Sequence, residues 1–118
     1  MTYEKALEMI GKEFKTRYVA PDCQAICVPL TYDGVNGIYI AVWDNEGEAI
    51  LTDEGITKDI FWKATDETKW RSLCEMNGFS FNCYWHIERK FTAMTDVYDF
   101  IDFLMLISNE YNPIDSKV

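Results

Sequence analysis

The sequence has one histidine, three prolines and six glycines among 118 residues. A lone histidine argues against zinc sites that draw several His or Cys ligands at short spacings. No apolar run, neither Ile38–Trp43 nor Phe103–Ile107, approaches the roughly 18–20 residues that span a bilayer. The opening "MTYEKALEMIGKEFK" has no apolar leader core and carries acids from its first turn, so it reads as a surface helix, and a cytoplasmic location is expected. Also missing are G-x-S-x-G, G-x-x-x-x-G-K-[ST] and G-x-G-x-x-G, the motifs that place a nucleophile or cradle phosphates. No catalytic residue, metal or cofactor is therefore expected, and the chain does not read as an enzyme.

Positive charge is missing from long stretches. Residues 18–57 carry Asp22, Asp33, Asp44, Glu46, Glu48, Asp53 and Glu54 with no Lys or Arg, and residues 91–116 carry Asp96, Asp99, Asp102, Glu110 and Asp115 with none either. The net charge is −9. Such a surface repels phosphate backbones, which disfavours direct nucleic-acid binding and suits a basic partner. Four cysteines are present. Cys23 and Cys27 share one face of an expected strand but lie about 13 Å apart at about 3.3 Å per residue, out of disulfide reach. Reduced, buried cysteines are expected at 23, 27, 74 and 83.

With 48% hydrophobic and 15% aromatic residues, the chain has the material for a folded core. One domain over residues 1–118 is expected. Tyr3, Leu7, Ile10 and Phe14 recur at helical spacing. "CQAICVPLTY" reads as a strand, with Pro29 at an edge or a strand end. "YDGVNG" is a turn. "IYIAVW" is apolar on both faces and reads as a central strand covered on both sides. "DNEG" is a hairpin loop leading into "EAILT". Ile56, Ile60 and Ala64 then mark a short helix, and Thr65 or Asp66 caps a second one that ends at Asn77-Gly78. "FSFNCYWHIERKF" reads as one bent strand or two short ones. Thr95 is expected to cap a last helix with Val97, Phe100, Ile101 and Leu104 on its apolar face. The fold class is α+β: an antiparallel meander of about three to five strands, packed against an N-terminal and a C-terminal helix, with helices between strands three and four.

Several groups are candidate sites. In "AILTDEG", Asp53 and Glu54 are adjacent carboxylates, but neighbours on a strand point apart, and a divalent ion needs further oxygen ligands. Their expected role is to turn the chain, with Thr52 and Asp53 accepting backbone N–H groups and Gly55 taking a positive φ. His86 could pair with Cys83 as base and nucleophile, yet three positions apart on a strand they would face opposite sides. Trp62, Trp70, Tyr84, Trp85 and Tyr98 are either core or a stacking surface, with Trp62 and Trp85 the expected exposed pair beside Lys63 and His86. Asp44, Glu46 and Glu48 on the hairpin, with Asp96, Asp99 and Asp102 as one helical stripe, form an expected acidic docking surface. Together with Trp62 and Trp85 they are the expected partner-binding residues, imitating phosphate spacing in the basic channel of a nucleic-acid enzyme.

The segment "GIYIAVWDNEGEAILTDEGITKDIF", with an I-x-I-x-V strand, a short polar turn and a strand ending L-T-D-x-G before a helix, resembles the bacterial and phage domain of unknown function 1828. "NGFSF" and "VYDFIDFLMLI" fall where that family's later strand and closing helix stand. The resemblance supplies no catalytic residues. It implies an origin in phages or mobile elements, whose small acidic proteins often bind host defence machinery. The expected function is inhibition of a host defence nuclease, of anti-CRISPR or anti-restriction type, by occluding its nucleic-acid site. A small-molecule or nucleotide binder with an aromatic pocket and a homodimerising interaction module are the alternatives.

Overall fold

Thr2 accepts the backbone N–H of Lys5 at 3.3 Å and so caps the first helix, α1 (Tyr3–Gly11). Tyr3, Ala6 and Ile10 form its buried stripe, at the spacing an amphipathic helix requires. The computed structural model describes residues 1–32, 34–61 and 66–111. Along them α1 is followed by β1 (Thr16–Ala20), β2 (Cys23–Thr31), β3 (Gly37–Asn45), β4 (Glu48–Thr52), α2 (Ile56–Phe61), α3 (Glu67–Met76), β5 (Ser80–Phe81), β6 (Ile87–Lys90) and α4 (Met94–Glu110). No described helix is long and apolar enough to cross a membrane.

The strands form one sheet of order β1-β2-β3-β4-β6-β5, and each neighbouring pair is antiparallel. The class is α+β: a meander runs from β1 to β4, then α2 and α3 intervene before the short β5–β6 hairpin closes onto β4. The sheet has six strands among the described residues, one more than the upper end of the sequence expectation. The added one is β1. Arg17, Tyr18 and Val19 are all exposed, so "TRYVA" shows no in–out alternation to announce a strand. Of the two readings of Pro29, an edge position or a strand end, β1 takes the edge, and Pro29 falls near the end of β2, beyond the stretch that β1 pairs.

Ile26, Ile40, Val42, Leu51 and Ile87 point to one face, where they pack with Ile10 of α1, Phe61 of α2, Trp70 of α3 and Phe100 and Leu104 of α4. Removing a fully buried leucine side chain such as Leu104 from this layer would cost about 2–5 kcal/mol. Cys23, Ala25, Ala41 and Ile50 are buried but stand outside that cluster, on the opposite face. There Ala25 lies opposite Ala41 between the cross-strand pairs Cys27–Tyr39 and Cys23–Trp43. The two-sided covering expected of residues 38–43 is thus corrected: the helices join the core on one face, while Tyr39 and Trp43 stand half-buried on the other.

Helix ends explain two further differences. Asp66 caps α3 as expected, accepting from Thr68 and Lys69 N–H at 2.9 and 3.2 Å. Gly78, at φ 81°, ends that helix while Phe79 N–H returns to the Cys74 carbonyl at 2.9 Å. Thr95 does not cap α4. Ala93 is its N-cap, and the Asp96 carboxylate supplies the acceptor, taking N–H from Thr92 and Ala93 at 2.7 and 3.0 Å. All four cysteines are free, but only Cys23 and Cys74 are buried. Cys27 and Cys83 are exposed, because the former faces the open side of β2 and the latter sits in the β5–β6 loop.

Candidate functional site

β4 delivers Asp53 and Glu54 to opposite sides of the sheet. Asp53 is fully buried, and its carboxylate accepts Gly55 N–H at 2.9 Å, Thr57 N–H at 3.3 Å and Ile87 N–H at 2.8 Å. Thr52 Oγ1 accepts Glu54 N–H at 2.9 Å. Glu54 and Gly55 both take positive φ, at 53° and 79°. The turn role expected of Thr52 and Asp53 is therefore what the geometry delivers. Burial pushes the Asp53 carboxyl above the usual carboxylate range, and the donated N–H groups act in the opposite sense. Thr57 Oγ1 lies 2.8 Å from the Tyr32 hydroxyl, and Ser108 Oγ donates to the Tyr32 carbonyl at 2.5 Å, so buried polar groups link α2 and α4 to the turn after β2.

Glu54 lies on the other face, where it accepts from the Tyr39 hydroxyl at 3.0 Å and the Cys23 thiol at 3.5 Å. Burial, then the nearby Glu54 charge, pushes the Cys23 thiol up to about 11. Burial and the bond to Glu54 push the Tyr39 hydroxyl up to about 12. A nucleophile needs the reverse shift, so this trio is not an activated one. Among the described residues no group of His, Cys, Asp and Glu could hold a metal ion.

His86 is placed by a tight loop, not by a strand. Asn82 Oδ1 accepts N–H from Tyr84 and His86 at 2.9 and 3.0 Å, and Trp85 takes φ 65°. The strand geometry read for Cys83 and His86 is corrected accordingly. Trp85 is also corrected from exposed to half-buried: its ring packs 5.3 Å from Phe81 and 6.3 Å from Trp70, with Lys58 Nζ 5.8 Å from its centroid. Trp62 lies outside the described residues. Trp70 is wholly buried, whereas Tyr84 and Tyr98 are exposed, so these aromatics do not form one platform.

The hairpin acids converge with groups that the sequence did not single out. Asp44 Oδ1 accepts Gly47 N–H at 2.8 Å and fixes the loop, which turns at Glu46 and Gly47 with φ 53° and 91°. The chain start docks beside it: Tyr3 N–H donates to the Gly47 carbonyl at 3.1 Å, and Thr2 bridges to Glu48. Asp44 N–H donates to the Asp22 carbonyl at 2.8 Å. Glu4, Asp22, Asp44, Glu46 and Glu48 thus gather at one end of the sheet. The Tyr3 hydroxyl is pushed up by burial and then by Cys23, Asp44, Asp22 and Glu4. Glu48 pairs with Lys90 at 3.4 Å, and Glu46 has no ion pair among the described residues.

The helical stripe is divided. Asp96 is buried and bonds Arg89 Nε at 3.0 Å, Thr92 Oγ1 at 2.8 Å and the two N–H groups of its cap. Burial alone would raise its pKa, but these donors and the Arg89 charge outweigh it and hold the carboxyl below its ordinary value. Asp96 is therefore a structural cap, which corrects its reading as a docking group. Asp99 pairs with Arg89 at 3.3 Å, and Asp102 is exposed with no ion pair among the described residues. A groove of about 370 Å³ runs past Arg89, Asp99, Asp102 and Leu106. Phe91 N–H donates to the Ala49 carbonyl at 3.0 Å, which sets the start of α4 at the same end of the sheet as the hairpin.

Compared with models of known protein families, with curated proteins and with solved structures, the chain matches none.

Proposed function

We propose that the chain is a non-enzymatic binding protein that docks on a basic partner through the acidic end of its sheet. The observation that carries this reading is the convergence of Glu4, Asp22, Asp44, Glu46 and Glu48 at the hairpin; Asp99 and Asp102 lie along α4, beside the groove that Phe79 and Arg89 line. Glu46 and Asp102, which have no cation partner among the described residues, would make the principal contacts. Asp96 and Trp85 take no part, since both are engaged inside the fold. Carboxylates at such an end compete with phosphates for Arg and Lys, which favours a nucleic-acid-processing protein with a basic channel.

The resemblance of L-T-D-x-G and its flanking strands to the phage and bacterial domain of unknown function 1828 supplies the setting. In it the partner is a host defence nuclease of CRISPR or restriction type, in the bacterial cytoplasm, and the action is occlusion of its nucleic-acid site. The test is retention of such a nuclease by the wild-type chain and its loss on Glu46→Lys with Asp102→Lys. Neither substitution breaks an ion pair of the fold among the described residues.

A further inference from the structure

Among the described residues the cations divide into two sets. Lys58, Lys69, Arg71, Arg89 and Lys90 each pair with a carboxylate of the fold. Among the described residues, Lys5, Lys12, Lys15 and Arg17 have no carboxylate within ion-pair distance; Arg17 lies in β1, Lys15 just before it, and Lys12 at the end of α1. Arg17 only approaches the Tyr39 ring, at 6.0 Å. In a protein of net charge −9, Lys12, Lys15 and Arg17, without ion pairs among the described residues, bring three positive charges to one strand against the single carboxylate of Glu13 at the groove rim.

β1 is also an open edge. It ends the strand order, and the opposite edge, β5, is only two residues long. The Lys15 carbonyl accepts Cys27 N–H at 2.8 Å, so Lys15 and Arg17 turn their backbone groups toward β2. By alternation Thr16 and Tyr18 present N–H and C=O outward, with no backbone partner among the described residues. Tyr18 is 69% exposed and Val19 41% exposed, and no proline or glycine interrupts β1. Where β1 begins, a groove of about 360 Å³ opens between Phe14, Cys27, Val28 and Pro29, with Lys15 and Glu13 at its rim. The Glu13 carboxylate is taken up by the Tyr98 hydroxyl.

We propose that β1 receives an extended acidic segment of a partner protein as an added strand. The segment's backbone pairs with Thr16 and Tyr18, an apolar side chain enters the groove beside Phe14 and Val28, and its carboxylates meet Lys12, Lys15 and Arg17. Charge complementarity selects this occupant over a second copy: antiparallel pairing of β1 with itself would bring Lys15 and Arg17 of two copies together. This surface is separate from the acidic sheet end and takes a partner of opposite charge.

The probe is a fluorescein-labelled decapeptide of alternating Glu and Val, compared with its Lys-Val counterpart by fluorescence anisotropy at low and high salt. The Glu peptide is expected to bind at least tenfold more tightly than the Lys peptide, and more weakly as salt rises. Tyr18→Pro removes an outward N–H that the sheet does not use, and Lys12→Glu with Lys15→Glu reverses the rim. Each is expected to weaken the Glu peptide at least tenfold. Slowed hydrogen exchange at the Thr16 and Tyr18 amides of the wild-type chain reads strand addition without any variant, should Tyr18→Pro not fold. No binding of the Glu peptide, equal binding of both peptides, or unchanged amide exchange overturns the proposal. A concentration-dependent dimer that Tyr18→Pro disperses, with no peptide bound, overturns it in favour of self-pairing.

Discussion

The Asp53 carboxylate accepts the backbone N–H of Ile87 at 2.8 Å, across 34 positions of sequence. The same carboxylate holds the Gly55 and Thr57 N–H groups, so one side chain both turns the chain into α2 and fastens the end of β4 to β6. Asp53→Ala leaves those donors buried and unmet. At about 1–3 kcal/mol for each such group, the variant is expected to lose at least about 3 kcal/mol of unfolding free energy. Urea denaturation measures it, and a loss under about 1 kcal/mol would contradict the role assigned to Asp53.

Asp53 and Asp96 should respond to acid with opposite signs. Burial raises the folded pKa of Asp53 above its ordinary 3.8, so the folded state holds this proton more firmly than the unfolded chain. The contribution of Asp53 to stability therefore falls as pH rises from that ordinary value through the folded one. The folded pKa of Asp96 lies below 3.8, so its contribution is complete above that value and is lost as pH falls through the folded one. Asp96→Asn is expected to cost about 2 kcal/mol at pH 7. The gap from wild type should narrow once the pH drops below the Asp96 value. Denaturation curves at pH 7 and in the acid limb decide the point, and a gap that does not change with pH would contradict it.

The cysteines offer a labelling test. Cys27 and Cys83 are exposed and should react with a thiol reagent in the folded protein. Burial pushes the Cys23 and Cys74 thiols up to about 11 and about 12, which leaves almost no thiolate at neutral pH. Mass spectrometry should find label on Cys27 and Cys83 before denaturant and on every cysteine after it. Rapid labelling of Cys74 in the folded state would contradict the burial described.

What the sequence disclosed was local. The Tyr3 and Ile10 spacing, the Asp-Asn-Glu-Gly hairpin, the Asp66 cap and the Asn77-Gly78 stop all act within one or two helical turns, and each left a pattern along the chain. β1 left none, because an edge strand with both faces exposed has no reason to alternate. Asp96 looked like part of a surface stripe since Arg89, which neutralises it, arrives from a strand across a turn. The spacing 96, 99, 102 gives a helical face but not which acids a neighbouring element has already claimed. Asp53 was legible as a turn former, whereas its grip on Ile87 depends on the β4–β6 pairing, which two intervening helices hide.

The proposed docking of the acidic sheet end on a basic nucleic-acid enzyme turns on Glu46 and Asp102. Its most direct test immobilises the tagged wild-type chain and the Glu46→Lys, Asp102→Lys variant side by side. Lysates expressing assorted CRISPR and restriction effectors are passed over both, and bound protein is eluted with a salt gradient and identified by mass spectrometry. A nuclease is expected to be retained by the wild-type chain, to leave at moderate salt as screened carboxylate contacts should, and not to be held by the variant. No retained nuclease, or one held equally by both chains across the gradient, would contradict it.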